Sequence, residues 1–279
     1  MRADLHLHST YSDGHYSPFE ICKRAKAAGL DLLSITDHDT LNGESEKRAA
    51  AKEFGLFYLT GWEISAYDKE NKLHILGYGC DETSPAYLAF TKARTAASIE
   101  RAKDSVNKMR GAGIDISVEQ VLAERSDPTS PVHTMHVARA AGRVLNQSET
   151  VVYAECLAPK KFAHSILGRP TPLEAITCIR QSGGFSVLAH PGRIYMPFEE
   201  REKTIEQLIG LGLDGIEATY TTHTKRETEY FCALARENGL LITGGSDTHF
   251  EQETHKIGHP FFEPDERLYE KILEKIRRT

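Results

Sequence analysis

The sequence predicts an α/β barrel, a parallel sheet with helices outside it, interrupted by a helical insertion. Three observations lead there. Residues 1–83 and 166–279 alternate short apolar runs with helical stretches, and residues 84–165 show helical periodicity without a convincing strand. His, Asp and Glu also recur at the C-terminal ends of the apolar runs, the face on which α/β barrels build their sites.

Arg2–His8 reads as the first strand. Ser17 caps a helix that stops at Gly29, with Pro18 in the first turn, where its missing N–H costs nothing. Leu32–Thr36 is a short apolar strand, and Thr40 caps a helix to Gly55. Leu56–Ile64 and Lys72–Tyr78 are further strands. Ser84-Pro85 opens a long helix towards Gly111 or Gly113, and shorter helices follow at Val118–Arg125, Thr134–Leu145 and Glu149–Leu157, punctuated by Pro128, Pro131 and Pro159. Alternation returns after Pro172. Helices at Leu173–Gly183, Phe198–Gly212 and Lys225–Gly239 precede strands Phe185–Ala189, Gly215–Ala218 and Leu241–Thr243, and Asp265–Arg278 is the last helix.

At 279 residues the chain fits one enlarged domain or a domain with an insertion, and its 40% apolar content is ordinary for a globular protein. No apolar run approaches a membrane span, and the first residues lack the apolar core of a secretory signal. The five cysteines are scattered and form no C-x-x-C pair, which reads as free thiols in a reducing compartment. These features predict a cytoplasmic protein. The net charge of −6 argues against a general nucleic-acid coat, yet residues 92–172 hold 12 Lys/Arg against 8 Asp/Glu, a local balance of +4. A mildly basic segment beside an acidic site suits a small anionic substrate.

The first strand ends Asp4-Leu5-His6-Leu7-His8, and a strand's period of two puts His6 and His8 on one face. Two imidazoles at a strand end make half of a metal site. Asp13 follows in the next loop. Later runs end Thr36-Asp37-His38-Asp39, where Asp37 or Asp39 can orient a ligand, and Gly61-Trp62-Glu63, whose carboxylate can bridge two ions. His74 lies on the run Lys72–Tyr78. The last ligands follow in Ala189-His190-Pro191 and Ser246-Asp247-Thr248-His249. Six imidazoles and three carboxylates without a thiolate suit Zn, Mn or Fe better than Mg or Ca.

These boxes resemble the motifs of the polymerase-and-histidinol-phosphatase (PHP) superfamily, and within it the stand-alone nucleotide phosphatases and 5′-to-3′ exoribonucleases of bacteria. His74-Ile75-Leu76-Gly77-Tyr78 and Gly183–Arg193 add to the likeness, which covers most of residues 1–80 and 170–260. The resemblance implies a distorted (β/α)7 barrel with a helical insertion and two to three divalent ions. His6, His8, Glu63 and Asp247 would hold the first ion, Glu63, His74 and His190 the second, and Asp13, His38 and His249 the third. Relatives often show Arg-Pro-His-x-Ala-Arg in the insertion, where this chain has Thr134-Met135-His136-Val137-Ala138-Arg139.

Arg193, after His190-Pro191-Gly192, is a candidate to grip a phosphate in two places. His223, His136 and Arg143 are further candidate substrate contacts. The expected reaction is hydrolysis of a phosphate monoester by metal-activated water, on a nucleotide or short RNA, with no stable protein partner and no membrane. A phosphatase of a metabolite such as histidinol phosphate is the alternative. A catalytically silent PHP module and a metal-dependent amidohydrolase are remoter ones.

Overall fold

A computed structural model describes residues 1–69, 71–157, 168–252 and 254–277. The first third contains β1 (Ala3–Leu7), α1 (Pro18–Ala27), β2 (Leu32–Ile35), α2 (Glu44–Glu53), β3 (Phe57–Tyr58), β4 (Gly61–Asp68) and β5 (Asn71–Tyr78). Helices α3 (Pro85–Gly111), α4 (Val118–Leu122), α5 (Thr134–Leu145) and α6 (Glu149–Val152) follow, and a π-helical turn at Tyr153–Leu157 extends the last. The chain continues with α7 (Pro172–Gln181), β6 (Phe185–Leu188), a 3₁₀ turn at Pro191–Arg193, α8 (Phe198–Gly210), β7 (Gly215–Tyr220), α9 (Lys225–Glu237), β8 (Leu241–Gly245) and α10 (Glu266–Ile276).

Local chemistry explains several boundaries. Ser17 and Glu20 form a reciprocal capping box at α1, worth about 1 kcal/mol, and Thr171 with Glu174 and Thr224 with Glu227 repeat it at α7 and α9. Thr40 does not cap α2. Its hydroxyl accepts from Asn42 N–H at 3.0 Å, and the helix starts only at Glu44, behind Gly43 in the left-handed region at φ 79°.

Among the described residues the strands form two sheets, β1-β2-β3 and β4-β5-β6-β7-β8, rather than one continuous barrel. Their edges meet at two isolated bridges, Leu7 with Thr248 and His38 with Glu63. The expected single strand Leu56–Ile64 is divided between the sheets: Phe57–Tyr58 pairs with β2, whereas Gly61 onward pairs with β5. β5 runs antiparallel to both neighbours. Only residues 69 and 70 separate it from β4, and a parallel return needs a crossover of about a dozen residues or more.

Residues 85–157 contain helices and no strand, and Val106, Met109, Val121, Val137 and Ala141 centre an apolar cluster of their own. The expected insertion reached residue 165; residues 158–165 lie outside the described chain, as does Arg278 of the expected last helix. The strands pack against separate clusters around Trp62, Ile64 and Ile216 and around Leu5, Leu76 and Val187. Burying each such side chain contributes about 1.5–3 kcal/mol. No helix among the described residues is long and apolar enough to cross a membrane.

Candidate metal centre

The strand ends converge on one point. β1 delivers His6 and His8, the turn after β2 delivers His38, and β4 brings Glu63 beneath them. The Glu63 oxygens face different partners. Oε2 lies 3.3 Å from His6 Nε2, 3.2 Å from His8 Nε2 and 3.1 Å from His38 Nδ1. Oε1 lies 2.6 Å from His74 Nδ1 and 3.0 Å from His190 Nε2. Asp247 Oδ1 closes the first group at 3.1 Å from His8 Nε2 and 3.5 Å from His6 Nε2. Asp13 Oδ2 sits 3.2 Å from His249 Nε2 and 4.0 Å from His38 Nε2.

This convergence depends on a close approach of β8 to β1. A Cβ on Gly245 would stand 2.3 Å from His6 Cβ, so glycine alone lets Asp247 N–H reach His6 carbonyl at 2.8 Å. Asp39, His190 and Asp247 all have positive φ without being glycine. Such conformations concentrate at functional sites.

His6 Nε2, both His8 ring nitrogens, His38 Nδ1, Glu63 Oε2 and Asp247 Oδ1 are buried and make no hydrogen bond. Buried polar atoms are otherwise nearly always paired, and an unpaired one costs about 1–3 kcal/mol. Donors bound at about 2.0–2.2 Å to one tetrahedral ion stand about 3.3–3.6 Å apart, close to the spacing of His6, His8, Glu63 and Asp247. These residues could hold a metal ion, as could His8, Asp13, His38 and His249 as a group and His38, Glu63 and His74 as another. Glu63 belongs to two of these three groups.

Electrostatics favour ionised carboxylates. Burial pushes Glu63, Asp13 and Asp247 up, but the surrounding histidines outweigh it and hold all three well below the usual carboxylate range. Burial also disfavours charge on His8, yet Asp247 and Glu63 raise it to about 10, and His6 is likewise held well above 6.5 against burial by Glu217, Glu63 and Asp247. For His38 and His74 burial wins over the pull of Glu63, and both are held well below 6.5.

A further ring of residues orients these groups. Glu217 Oε1 is 3.0 Å from His6 Nδ1, and its Oε2 accepts from His190 N–H at 2.8 Å. Asp37 accepts from Ser9 N–H and from the Ser9 and Ser12 hydroxyls, fixing the loop to Asp13, while buried Lys47 lies 2.8 Å from its other side. Asp39 accepts from Ser65 N–H at 2.9 Å and pairs with Arg169. Asp4 accepts from Ser246 and Gly258 N–H and so ties down both ends of the loop that carries Asp247 and His249.

A cavity of about 290 Å³ opens over the cluster between Lys72, His133, Met135, Tyr153, Arg193 and Tyr195. Arg193 reaches it half-exposed, with Nη1 donating to the Tyr220 hydroxyl at 2.9 Å and 3.5 Å from Asp247 Oδ2. The other expected substrate contacts are not on its wall. His136 Nδ1 accepts from His133 N–H at 3.0 Å and its Nε2 donates to Ser12 carbonyl at 2.9 Å. His223 Nε2 accepts from Gly192 N–H and its Nδ1 donates to Ala218 carbonyl, bracing the turn before Arg193. Arg143 pairs with Glu124 at 2.8 Å beside a separate groove of about 760 Å³.

The family model of the PHP domain matches residues 4–154. This chain belongs to the PHP-domain family. Along 88% of its length it is 33% identical to a 5′-3′ exoribonuclease of Haemophilus influenzae, covering 89% of that protein. It is 31% identical to a 3′,5′-nucleoside bisphosphate phosphatase of Chromobacterium violaceum over 92% of this chain and 90% of the other. A solved structure from Bifidobacterium adolescentis, provisionally assigned as a metal-dependent phosphoesterase, superposes with a TM-score of 0.86 at 27% identity, covering 98% and 96% of the two chains.

Motif reading of this PHP chain passed over Glu217, Tyr220, Lys72 and His133. Glu217 had a signal: it is a carboxylate inside the apolar run Gly215–Ala218, where an unpaired charge would be costly. His133 had none, since it precedes a helix outside the recognised boxes. Its Nδ1 lies 3.2 Å from Asp13 Oδ2 and its ring stacks on His38 at 4.7 Å.

Proposed function

We propose that this PHP-domain chain is a phosphoesterase that hydrolyses phosphate monoesters of nucleotides, as 3′,5′-bisphosphonucleotides or 5′-phosphorylated short RNAs, in the cytoplasm and without a stable protein partner. The observation that carries the reading is the set of buried, hydrogen-bond-free donor atoms on His6, His8, His38, Glu63 and Asp247. His6, His8, Glu63 and Asp247 would hold one ion, Glu63, His74 and His190 a second, and Asp13, His38 and His249 a third, with Mn, Fe or Zn as the candidates. Such ions, when bound, acidify water to hydroxide near neutral pH and neutralise charge on phosphoryl oxygens. We also read the two sheets as arcs of a distorted (β/α)7 barrel, supported by the bridges Leu7–Thr248 and His38–Glu63, with residues 84–165 as its cap.

The protein's own groups complete the chemistry. Asp247 gives Oδ2 to Tyr220, whose hydroxyl donates at 2.7 Å, and keeps Oδ1 turned to the cluster. Arg193, steadied by Tyr220, leaves guanidinium donors free for the non-bridging oxygens of the phosphate. Lys72 adds positive charge to the same cavity. Tyr195 is 89% exposed at the cavity mouth, and Tyr153 lines the same cavity. An aromatic side chain left in water at the edge of a catalytic pocket suits stacking on a nucleobase, and this favours a nucleotide over a small metabolite.

The test is phosphate release by Mn²⁺-loaded protein from a 3′,5′-bisphosphonucleotide, a 5′-phosphorylated short RNA, histidinol phosphate, an aryl phosphate and an amide. The expected result is a nucleotide kcat/KM at least about tenfold above that for histidinol phosphate, with the amide untouched. Turnover of histidinol phosphate with none of any nucleotide would overturn the nucleotide reading.

A further inference from the structure

We propose that His133, carried by the helical segment, is a fourth donor to the outer cation site of Asp13, His38 and His249, so that this segment completes the metal centre as well as covering it. The inference rests on the metal reading above.

Asp13 Oδ2 is the common point: His133 Nδ1 and His249 Nε2 each stand 3.2 Å from it, and His38 Nε2 stands 4.0 Å away. That oxygen thus has a nitrogen of each of the three rings within 4.0 Å. The His133 and His38 rings stack nearly parallel, at 13° with centroids 4.7 Å apart, beside that oxygen. Three imidazoles and one carboxylate form a four-donor set suited to Zn, Mn or Fe.

The helix accounts for this residue only in part. His133 is the N-cap of α5, and its Nδ1 accepts from Met135 N–H at 3.4 Å, a long bond. Asn, Asp, Ser or Thr would cap better, so capping alone gives no reason for an imidazole here. The positive pole of α5 opposes a nearby cation weakly, and the Asp13 carboxylate more than offsets it.

The same helix face holds the loop that carries Asp13. His136 Nε2 donates to Ser12 carbonyl at 2.9 Å and Arg139 Nη2 to Asp13 carbonyl at 2.7 Å. Ser126, in the connection between α4 and α5, donates to Thr10 carbonyl at 2.6 Å. Backbone contacts from three residues hold the loop in register while His133 meets the Asp13 side chain. Occupancy of the outer site and seating of the helical segment are therefore coupled.

The experiment counts metal ions per chain by elemental analysis after Zn²⁺ or Mn²⁺ loading and dialysis, in wild type, His133→Asn and His133→Asp, with circular dichroism to follow folding. Asn keeps a capping acceptor but offers no imidazole, and Asp keeps the cap and offers a donor oxygen. The expected result is three ions in wild type, one fewer in His133→Asn or a last ion bound at least about tenfold more weakly, and recovery of that ion in His133→Asp. Equal occupancy in wild type and His133→Asn overturns the proposal. So does a wild type that holds only two ions, or loss of the ion or of the fold in both variants, since His133 then serves only the helix. A wild type with less than one ion instead overturns the metal reading itself.

Discussion

The strand ends and the helical segment contribute to the same cavity by different rules. On the strand ends His6 and His8 point one way because a strand has a period of two, and β8 lies against β1 because residue 245 is glycine. On the helical segment the functional contacts depend on how α5 docks. His133, His136 and Arg139 recur every three residues along one face, and all three meet the loop 12–13. Candidate ligands at strand ends are thus written into short motifs, whereas the ring proposed as a further donor is visible only once the docking of its helix is known.

The sharpest way to break this contrast is Glu63→Gln. Because both Glu63 oxygens face separate histidine groups, the change should weaken two ion sites at once and lower kcat on the order of a hundredfold or more. A variant that keeps over half of wild-type turnover would show that the bridge is wrongly assigned.

Metal affinity should also rise with pH. In the metal-free fold His8 is held at about 10, above its ordinary 6.5, so its contribution to stability is complete below 6.5 and is lost as pH rises through 10. An ion needs the neutral imidazole and displaces that proton. Affinity should therefore increase by up to about tenfold per pH unit for each proton displaced in this window, and the metal-induced rise in Tm should grow alongside. Titrations at pH 6.5 and 8.5 giving equal affinities would contradict this.

A smaller effect separates the two regions by substrate. Tyr195→Ala should lower kcat/KM for a nucleotide by about tenfold, within the range of one stacked base, and leave an aryl phosphate nearly unchanged. His136→Ala should impair both substrates, because its bond to Ser12 carbonyl steadies the Asp13 loop. Equal losses on both substrates for Tyr195→Ala would remove the stacking role. The smallest expected effect is Arg143→Ala: its partner is Glu124, away from the cavity, and kcat/KM should stay within about twofold of wild type.

What was legible follows the same division. The Asp4–His8 alternation and the His190-Pro191 and Asp247-Thr248-His249 boxes could be read residue by residue, because a strand end exposes its ligands at fixed steps. The hairpin of β4 and β5 could not, since Lys69-Glu70 lacks the Asn-Gly or Asp-Gly pair that marks such turns. Leu56–Ile64 looked like one strand because hydropathy does not reveal that the chain changes sheets at Leu59-Thr60. His136 drew attention through its likeness to a family motif, yet the ring that reaches the cavity is His133, three residues earlier on the same face.

The most direct test of the central claim joins occupancy to chemistry. Chelator-treated protein is reconstituted stepwise with Mn²⁺, and ions per chain and phosphate release from a 3′,5′-bisphosphonucleotide are measured on the same samples. The expected result is no turnover in stripped protein and turnover that rises as occupancy passes from one ion to two or three. Undiminished turnover after chelation, or less than one ion per chain at saturating Mn²⁺, Fe²⁺ and Zn²⁺, would contradict it.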